Sequence, residues 1–228
     1  MSTYDDASLI YYPSGYKAGK AYSLKPTDGS GDLTFTRAST ATRVNSAGLI
    51  ESVATGVPRI DYTGGGCAKL ILEPQRSNLV LRSEELNLSP WGTLGTITIT
   101  PNNTISPDGN NSADLVLGDN ASSSVNQIIS GVSGVVYTNS FFIKNNNSTE
   151  SSVIIRNSIT AIDSKLIWSG SVLSSISNLV GISTFQDYGN GWYRIISTYT
   201  SLESVQRPRI IPTLLTNQSV YIWGAQLE

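Results

Sequence analysis

The sequence predicts an all-β fold, and three observations carry that reading. Apolar residues come in short alternating runs, turn signals separate those runs at intervals of roughly 8–12 residues, and no window sustains i, i+3, i+4 apolar spacing over a helix length. A chain of 228 residues has room for one large β-sandwich, or for a sandwich with a smaller folded piece.

Taken in order, the first predicted strands are Leu33–Thr36, Gly48–Glu51 and Lys69–Glu73, short runs in a region crowded with turns. Next come Thr96–Thr100, then Ala113–Leu117 after the turn Ser106-Pro107-Asp108-Gly109, then Ser124–Ile129 after Gly118-Asp119-Asn120. Val135–Lys144 is the clearest half-buried strand. Tyr137, Phe141 and Ile143 fall on one face, with Thr138, Ser140 and Lys144 on the other. Ser152–Asn157 and Lys165–Ser169 follow, and Trp192–Tyr199 opens after the turn Asp187-Tyr188-Gly189-Asn190-Gly191. Arg209–Thr213 and Ser219–Leu227 complete the set. In the last strand Tyr221, Trp223, Ala225 and Leu227 share one apolar face, and Val220 and Ile222 begin another, so it is expected to be central and covered on both sides. Tyr4–Tyr22 carries aromatics without periodicity and is expected to pack on a partner subunit or on the strands that follow.

Composition narrows the function. Only 14% of residues are charged, against roughly 25% in ordinary soluble domains, so Ser, Thr and Asn must supply the polar surface. That balance suits a surface facing sugars or other subunits. The net charge is −2 and no segment is strongly basic, which argues against nucleic-acid binding. Gly64-Gly65-Gly66 and Asn145-Asn146-Asn147 read as loop punctuation, since neither precedes a helical pattern.

Histidine is absent, which removes the commonest general base and metal ligand. The single cysteine, Cys67, forms neither an internal disulfide nor a thiolate cluster, and is expected as a small hydrophobe in a strand. Met1 to Asp6 lack the apolar core of a signal peptide, and no stretch reaches the roughly 18 apolar residues of a membrane span. Extracellular-type composition without a signal or disulfides suits a virion, assembled in a cytosol and then exposed outside.

The chain divides near residue 85, into a Gly/Thr/Arg-rich anchor or assembly region, 1–85, and a more regular β region, 86–228. Within the first, Asp32-Leu33-Thr34-Phe35-Thr36-Arg37-Ala38-Ser39-Thr40 runs on through Arg43-Val44-Asn45 to Gly48-Leu49-Ile50-Glu51. Val57-Pro58-Arg59-Ile60-Asp61-Tyr62 and Leu70-Ile71-Leu72-Glu73-Pro74-Gln75-Arg76-Ser77-Asn78-Leu79 follow. This succession resembles a module of tailed-bacteriophage fibre and virion-surface proteins. The second region resembles the jelly-roll carbohydrate-binding modules found beside it, through Ser83-Glu84 with Trp91, Ser106-Pro107-Asp108-Gly109 before Ala113-Asp114, Gly191-Trp192-Tyr193-Arg194, and Ile222-Trp223-Gly224-Ala225-Gln226-Leu227-Glu228.

The resemblance implies a jelly-roll β-sandwich behind a smaller turn-rich β region, a virion-surface location, other virion proteins as partners, and a homo-oligomer, as a trimer. It also implies contact with host surface polysaccharide, without nucleic acid or membrane insertion. Related jelly rolls often hold a structural calcium, which here would fall to Glu84 or Glu85 with Glu228. The alternatives are a capsid-decorating or fibre-attachment subunit that binds no glycan, and, more remotely, a polysaccharide depolymerase.

Exposed rings are the usual sugar platforms. Trp168 and Tyr188 are the expected exposed ones; Trp192 reads first as packed, with a rim position as the alternative, and Arg194 shares its strand face. Trp91 and Trp223 read first as core, and Arg194 reads equally as a guanidinium stacked on a ring or paired with a carboxylate. Arg37, Arg43, Arg59 and Arg76 are expected to pair with Asp32, Glu51, Asp61 and Glu73. Asp5-Asp6 and Glu84-Glu85 are adjacent, so in a strand each pair points to opposite faces. No pair of carboxylates stands out for glycoside hydrolysis, and the protein is read as a non-enzyme.

Overall fold

Period-two alternation is realised as strands in both halves of the chain. The computed structural model describes residues 2–156 and 161–228. The predicted strand end at Asn157 lies outside the described residues. Two compact units divide at Gln75/Arg76.

The first unit opens with a single helical turn, α1 (Thr3–Asp6), followed by β1 (Ile10–Lys17), β2 (Lys20–Lys25), β3 (Leu33–Thr34), β4 (Ala41–Val44), β5 (Ile50–Val53), β6 (Arg59–Asp61) and β7 (Lys69–Ile71). β1 to β3 form a three-stranded sheet, while β4–β5 and β6–β7 are separate two-stranded ribbons. The β1–β2 hairpin turns through Ala18 and Gly19, both left-handed at φ 50° and 80°, the twist that two-residue hairpin loops favour. An alanine in that position gives no turn signal, which is why neither strand is legible in the sequence. Few side chains are buried here, among them Val44, Val53 and Asp61. Asp61 acts as a polar knot, accepting the N–H groups of Val44 (2.7 Å) and Thr63 (2.9 Å). Burial pushes its carboxyl up, but these bonds, the Thr63 hydroxyl and nearby Arg59 outweigh it and hold the group below the ordinary range.

The arginine series is realised in part. Arg43 pairs with Glu51 at 2.6 Å across β4–β5, and Arg59 pairs with Glu73. Arg37 departs from expectation: its Nη2 donates to the carbonyls of Val53, Ala54 and Val57, while Asp32 accepts from Ser23. Cys67 also departs from it, lying exposed beside the glycine run.

The second unit comprises β8 (Gly92–Leu94), β9 (Ile97–Ile105), β10 (Asn111–Gly118), β11 (Ser124–Asn126), β12 (Ile129–Ser130), β13 (Val136–Asn145) and β14 (Glu150–Arg156). It continues with β15 (Ala161–Ser169), β16 (Val172–Val180), β17 (Ser183–Gly189), β18 (Trp192–Thr200), β19 (Val205–Gln206), β20 (Pro208–Ile211) and β21 (Gln218–Leu227). Two six-stranded sheets result, ordered β17-β18-β13-β21-β10-β9 and β16-β15-β14-β20-β11-β8. Every pairing within them is antiparallel. The chain passes repeatedly from one sheet to the other, the course of a jelly-roll β-sandwich.

Phe141, Ile143, Leu166, Ile195, Val220, Ile222 and Leu227 are fully or almost fully buried between the sheets. Each such side chain contributes roughly 1.5–3 kcal/mol of transfer free energy, so the stable core of the chain belongs to this unit. Residues 76–85 belong to it too, which moves the boundary ahead of the expected residue 85. The cause is hydrogen bonding: Leu79 N–H donates to the Leu227 carbonyl (2.7 Å), Ala225 N–H to Ser83 (2.9 Å), and Gln127 bonds both the N–H and the carbonyl of Leu81 (2.9 Å each). The segment thus covers an edge of β21 that β10 no longer reaches.

β21 itself carries a bulge. Gly224 has φ +62°, and the register against β13 shifts between Ser140↔Gln226 and Phe142↔Trp223. The extra residue reverses the alternation. Val220, Ile222, Ala225 and Leu227 therefore all join the core, and Tyr221 and Trp223 take the other face, so the four residues expected on one face are split by the bulge. Among the described residues no helix is long and apolar enough to cross a membrane.

Candidate functional site

The outer face of the β13 sheet gathers the polar and aromatic groups most suited to a ligand. On β13 the residues that point away from the core are Ser140, Phe142 and Lys144. Opposite them on β18 lie Ile196, Arg194 and Trp192. The bulge in β21 brings Trp223 beside Phe142 and Gln226 beside Ser140. Phe142 is the hub. Tyr188 meets it edge-on at 5.0 Å between ring centroids, Trp223 lies 5.4 Å away, and the Arg194 guanidinium stacks over it at 5.7 Å.

Arg194 Nη2 donates to Ser140 Oγ (3.0 Å) and Gln226 Oε1 (2.9 Å). Its Nε is enclosed without a partner. The two indoles are fixed by their N–H groups: Trp192 donates to the Ile105 carbonyl (3.1 Å) and Trp223 to Ser112 Oγ (3.0 Å). Both come to rest against the β9–β10 hairpin. Its turn is knotted by Asp108, which accepts from Ser106 Oγ, from the Asn110 N–H and from the Asn110 side-chain amide.

Beside this face opens a cleft of about 470 Å³ lined by Val80, Arg82, Ser83, Glu84, Glu85, Asn102 and Ser112. Two of these, Arg82 and Asn102, are non-glycine residues with left-handed backbone, at φ 53° and 51°. Conformations of that kind persist only where surrounding bonds enforce them. Here the enforcer of Asn102 is Asp114, wholly buried, whose carboxylate accepts the N–H groups of Leu86 (2.9 Å) and Asn102 (3.0 Å). Burial raises the Asp114 carboxyl above its ordinary range against those two bonds, with Glu85 adding to the rise. Glu84 is raised as well, by burial first and by the charge of Asp108 second, against a hydrogen bond with Trp223.

The residues expected to hold a ligand are thus divided. Tyr188, Trp192 and Arg194 come together around Phe142. Trp168, expected as an exposed platform, lies in the core instead, with its N–H on Ser151 Oγ (3.0 Å) and its ring against Tyr193 (5.9 Å). Its strand neighbours alternate so that Leu166 and Trp168 both face inward. Trp192 is covered, with 3% of its surface exposed, as its packed reading expects and its rim alternative does not. Glu84 faces Trp223 and Asp108, whereas Glu228 continues the ladder by exchanging backbone bonds with Thr138. Among the described residues no three acidic, cysteine or histidine side chains are grouped to hold a metal.

Sequence reasoning missed Phe142, Gln226 and Ser140 as site residues. The signal for Phe142 was present: an aromatic at the parity of Ser140 and Lys144 belongs to the outer face. Gln226 was hidden by the bulge, which changes its face.

No protein-family model matches the chain and no curated protein matches it. Solved structures offer partial likenesses. One is TmCBM61 in complex with beta-1,4-galactotriose, 12% identical over 67% of this chain and 99% of that one, with a TM-score of 0.46. A second is the enzymatically active domain of tailspike protein 4 of bacteriophage CBA120, 15% identical over 66% of this chain and 21% of that one, TM-score 0.42. A third comprises the CBM22-1 and GH10 modules of Clostridium thermocellum endo-1,4-beta-D-xylanase 10B with xylohexaose, 16% identical over 68% of this chain and 29% of that one, TM-score 0.43. These likenesses concern the path of the chain alone.

Proposed function

We propose that the second unit is a non-catalytic carbohydrate-binding jelly roll, and that the protein is a structural component of a tailed-phage particle surface, its first unit serving assembly with sister chains as a homotrimer or with other virion proteins. The observation that carries the binding proposal is the Arg194–Gln226–Ser140 network laid over Phe142. A guanidinium set over a ring and bonded to an amide and a hydroxyl offers the polar groups that fix the hydroxyls of a sugar. The virion address draws its support from the resemblance of residues 32–85. Host polysaccharide is then the natural ligand, and many copies on one particle turn weak single sites into roughly 10²–10⁴ of added avidity.

One observation favours the rival reading of a capsid-decorating or fibre-attachment subunit without sugar binding. Phe142, Trp192 and Trp223 expose only 5%, 3% and 6% of their surface, so none of these three rings lies bare as a stacking platform. The polar network is then the discriminating feature, and Arg194→Ala is the discriminating variant. On an array of bacterial glycans the intact protein is expected to bind, and the variant to lose about tenfold or more in affinity with its denaturation midpoint little changed. Absence of binding by the intact, multivalently displayed protein would leave the structural reading in its place.

A depolymerase would have to draw on Glu84 and Asp108. Asp108 is committed to organising its own turn, and histidine is absent from the whole chain. Incubation with polysaccharide is expected to release no new reducing ends.

A further inference from the structure

The charges on the outer face are unbalanced. Arg194 and Lys144 are diagonal neighbours there, since Arg194 stands opposite Phe142 and Lys144 opposite Trp192. Neither has a carboxylate within ion-pair reach among the described residues, whose ion pairs include Arg43–Glu51, Arg59–Glu73, Arg82–Glu85 and Lys165–Glu150. The acceptors that Arg194 does have, Ser140 Oγ and Gln226 Oε1, are both neutral. Its Nε is enclosed and unsatisfied, and its bonds to the described residues run through Nη2.

Half-buried guanidinium groups ordinarily take a carboxylate or phosphate in bidentate fashion. In a chain with 17 acidic residues against 15 basic ones, carboxylates are not scarce. Two carboxylates of this unit have partners of their own: Asp187 accepts from the Gly189 N–H, and Glu84 lies with Trp223, Asp108 and Glu85. Two like charges on one face without a counter-charge repel, and the arrangement is relieved by an anion arriving from outside.

We propose that the outer face of the β13 sheet selects acidic saccharides, with Arg194 taking a sugar carboxylate and Lys144 supporting it. This rests on the carbohydrate-binding reading above and goes beyond it in naming the ligand class. Gln226 and Ser140 act as positioning residues, holding the guanidinium over Phe142 through its Nη2.

The test uses the full chain and pairs of polymers that differ only in charge: polygalacturonate, alginate and hyaluronate, each beside its carboxyl-reduced product. Binding to at least one acidic member is expected, weaker by about tenfold or more for its reduced partner. It should also weaken between 50 and 500 mM salt, as screening requires. Lys144→Gln, at a half-buried position, should lower acidic binding several-fold without loss of folding, and Arg194→Lys should recover part of what Arg194→Gln loses. Equal binding to acidic and reduced polymers would overturn the acidic selectivity while leaving the carbohydrate reading intact. Binding to none of the six would overturn both.

Discussion

At the scale of single residues, the second unit depends on polar groups kept where burial disfavours them. Asp114 holds two backbone N–H groups inside the sandwich and so fixes the turn at Asn102 and the entry of Leu86. Glu84 has only a hydrogen bond with Trp223 to compensate it. Burial first, and then the charges of Asp108 and Glu85, raise its carboxyl above 4.5. A group whose folded-state value lies above its unfolded value holds its proton more tightly when folded. It therefore contributes stability fully below the ordinary value, and loses that contribution as pH rises through the folded one. Glu84→Gln should accordingly raise the urea midpoint at pH 7, and the gain should vanish once the pH falls below about 4.5, the ordinary value. A midpoint difference unchanged between the two conditions would count against the buried, charged environment assigned to Glu84.

At the scale of elements, the bulge in β21 organises the site. It sends Trp223 outward, returns Ala225 and Leu227 to the core, and frees the Ala225 N–H for Ser83. Gly224 can do this because φ +62° costs it little, whereas a Cβ there would sit 3.2 Å from Phe142 Cδ2. Gly224→Ala should destabilise the protein by about 1–2 kcal/mol in chemical denaturation, and should disturb the site through Phe142. This bulge also marks what the sequence could and could not tell. The alternation in Val135–Lys144 and Trp192–Tyr199 was legible because those strands face a core on one side and keep their period. In β21 the glycine shifted the period without a signal of its own, so Gln226 was assigned to no site. β16 and β17 went unpredicted because they are sheet edges rich in Ser and Thr, where packing imposes little alternation. Trp168 was misplaced because a tryptophan outside a known motif gives no sign of which face it takes.

At the scale of the whole molecule, the core cluster lies entirely within residues 79–227, and the first unit buries little beyond Val44, Val53 and Asp61. Burial of that size does not offset the ordering of a chain of this length. Residues 76–228 alone should therefore fold cooperatively and keep their affinity for glycan, while residues 1–75 alone should show no cooperative thermal transition by calorimetry. A cooperative transition in the isolated first unit would contradict this division of stability. The central claim, that the outer face of the β13 sheet is where carbohydrate binds, is tested most directly by the indole N–H signals of the four tryptophans in an NMR titration with an acidic oligosaccharide. The signals of Trp192 and Trp223, which border Arg194 and Phe142, should move progressively, and that of Trp168, bonded to Ser151 inside the sandwich, should stay fixed. Saturating ligand that moves Trp168 and leaves Trp192 and Trp223 in place, or that moves none of them, would contradict it.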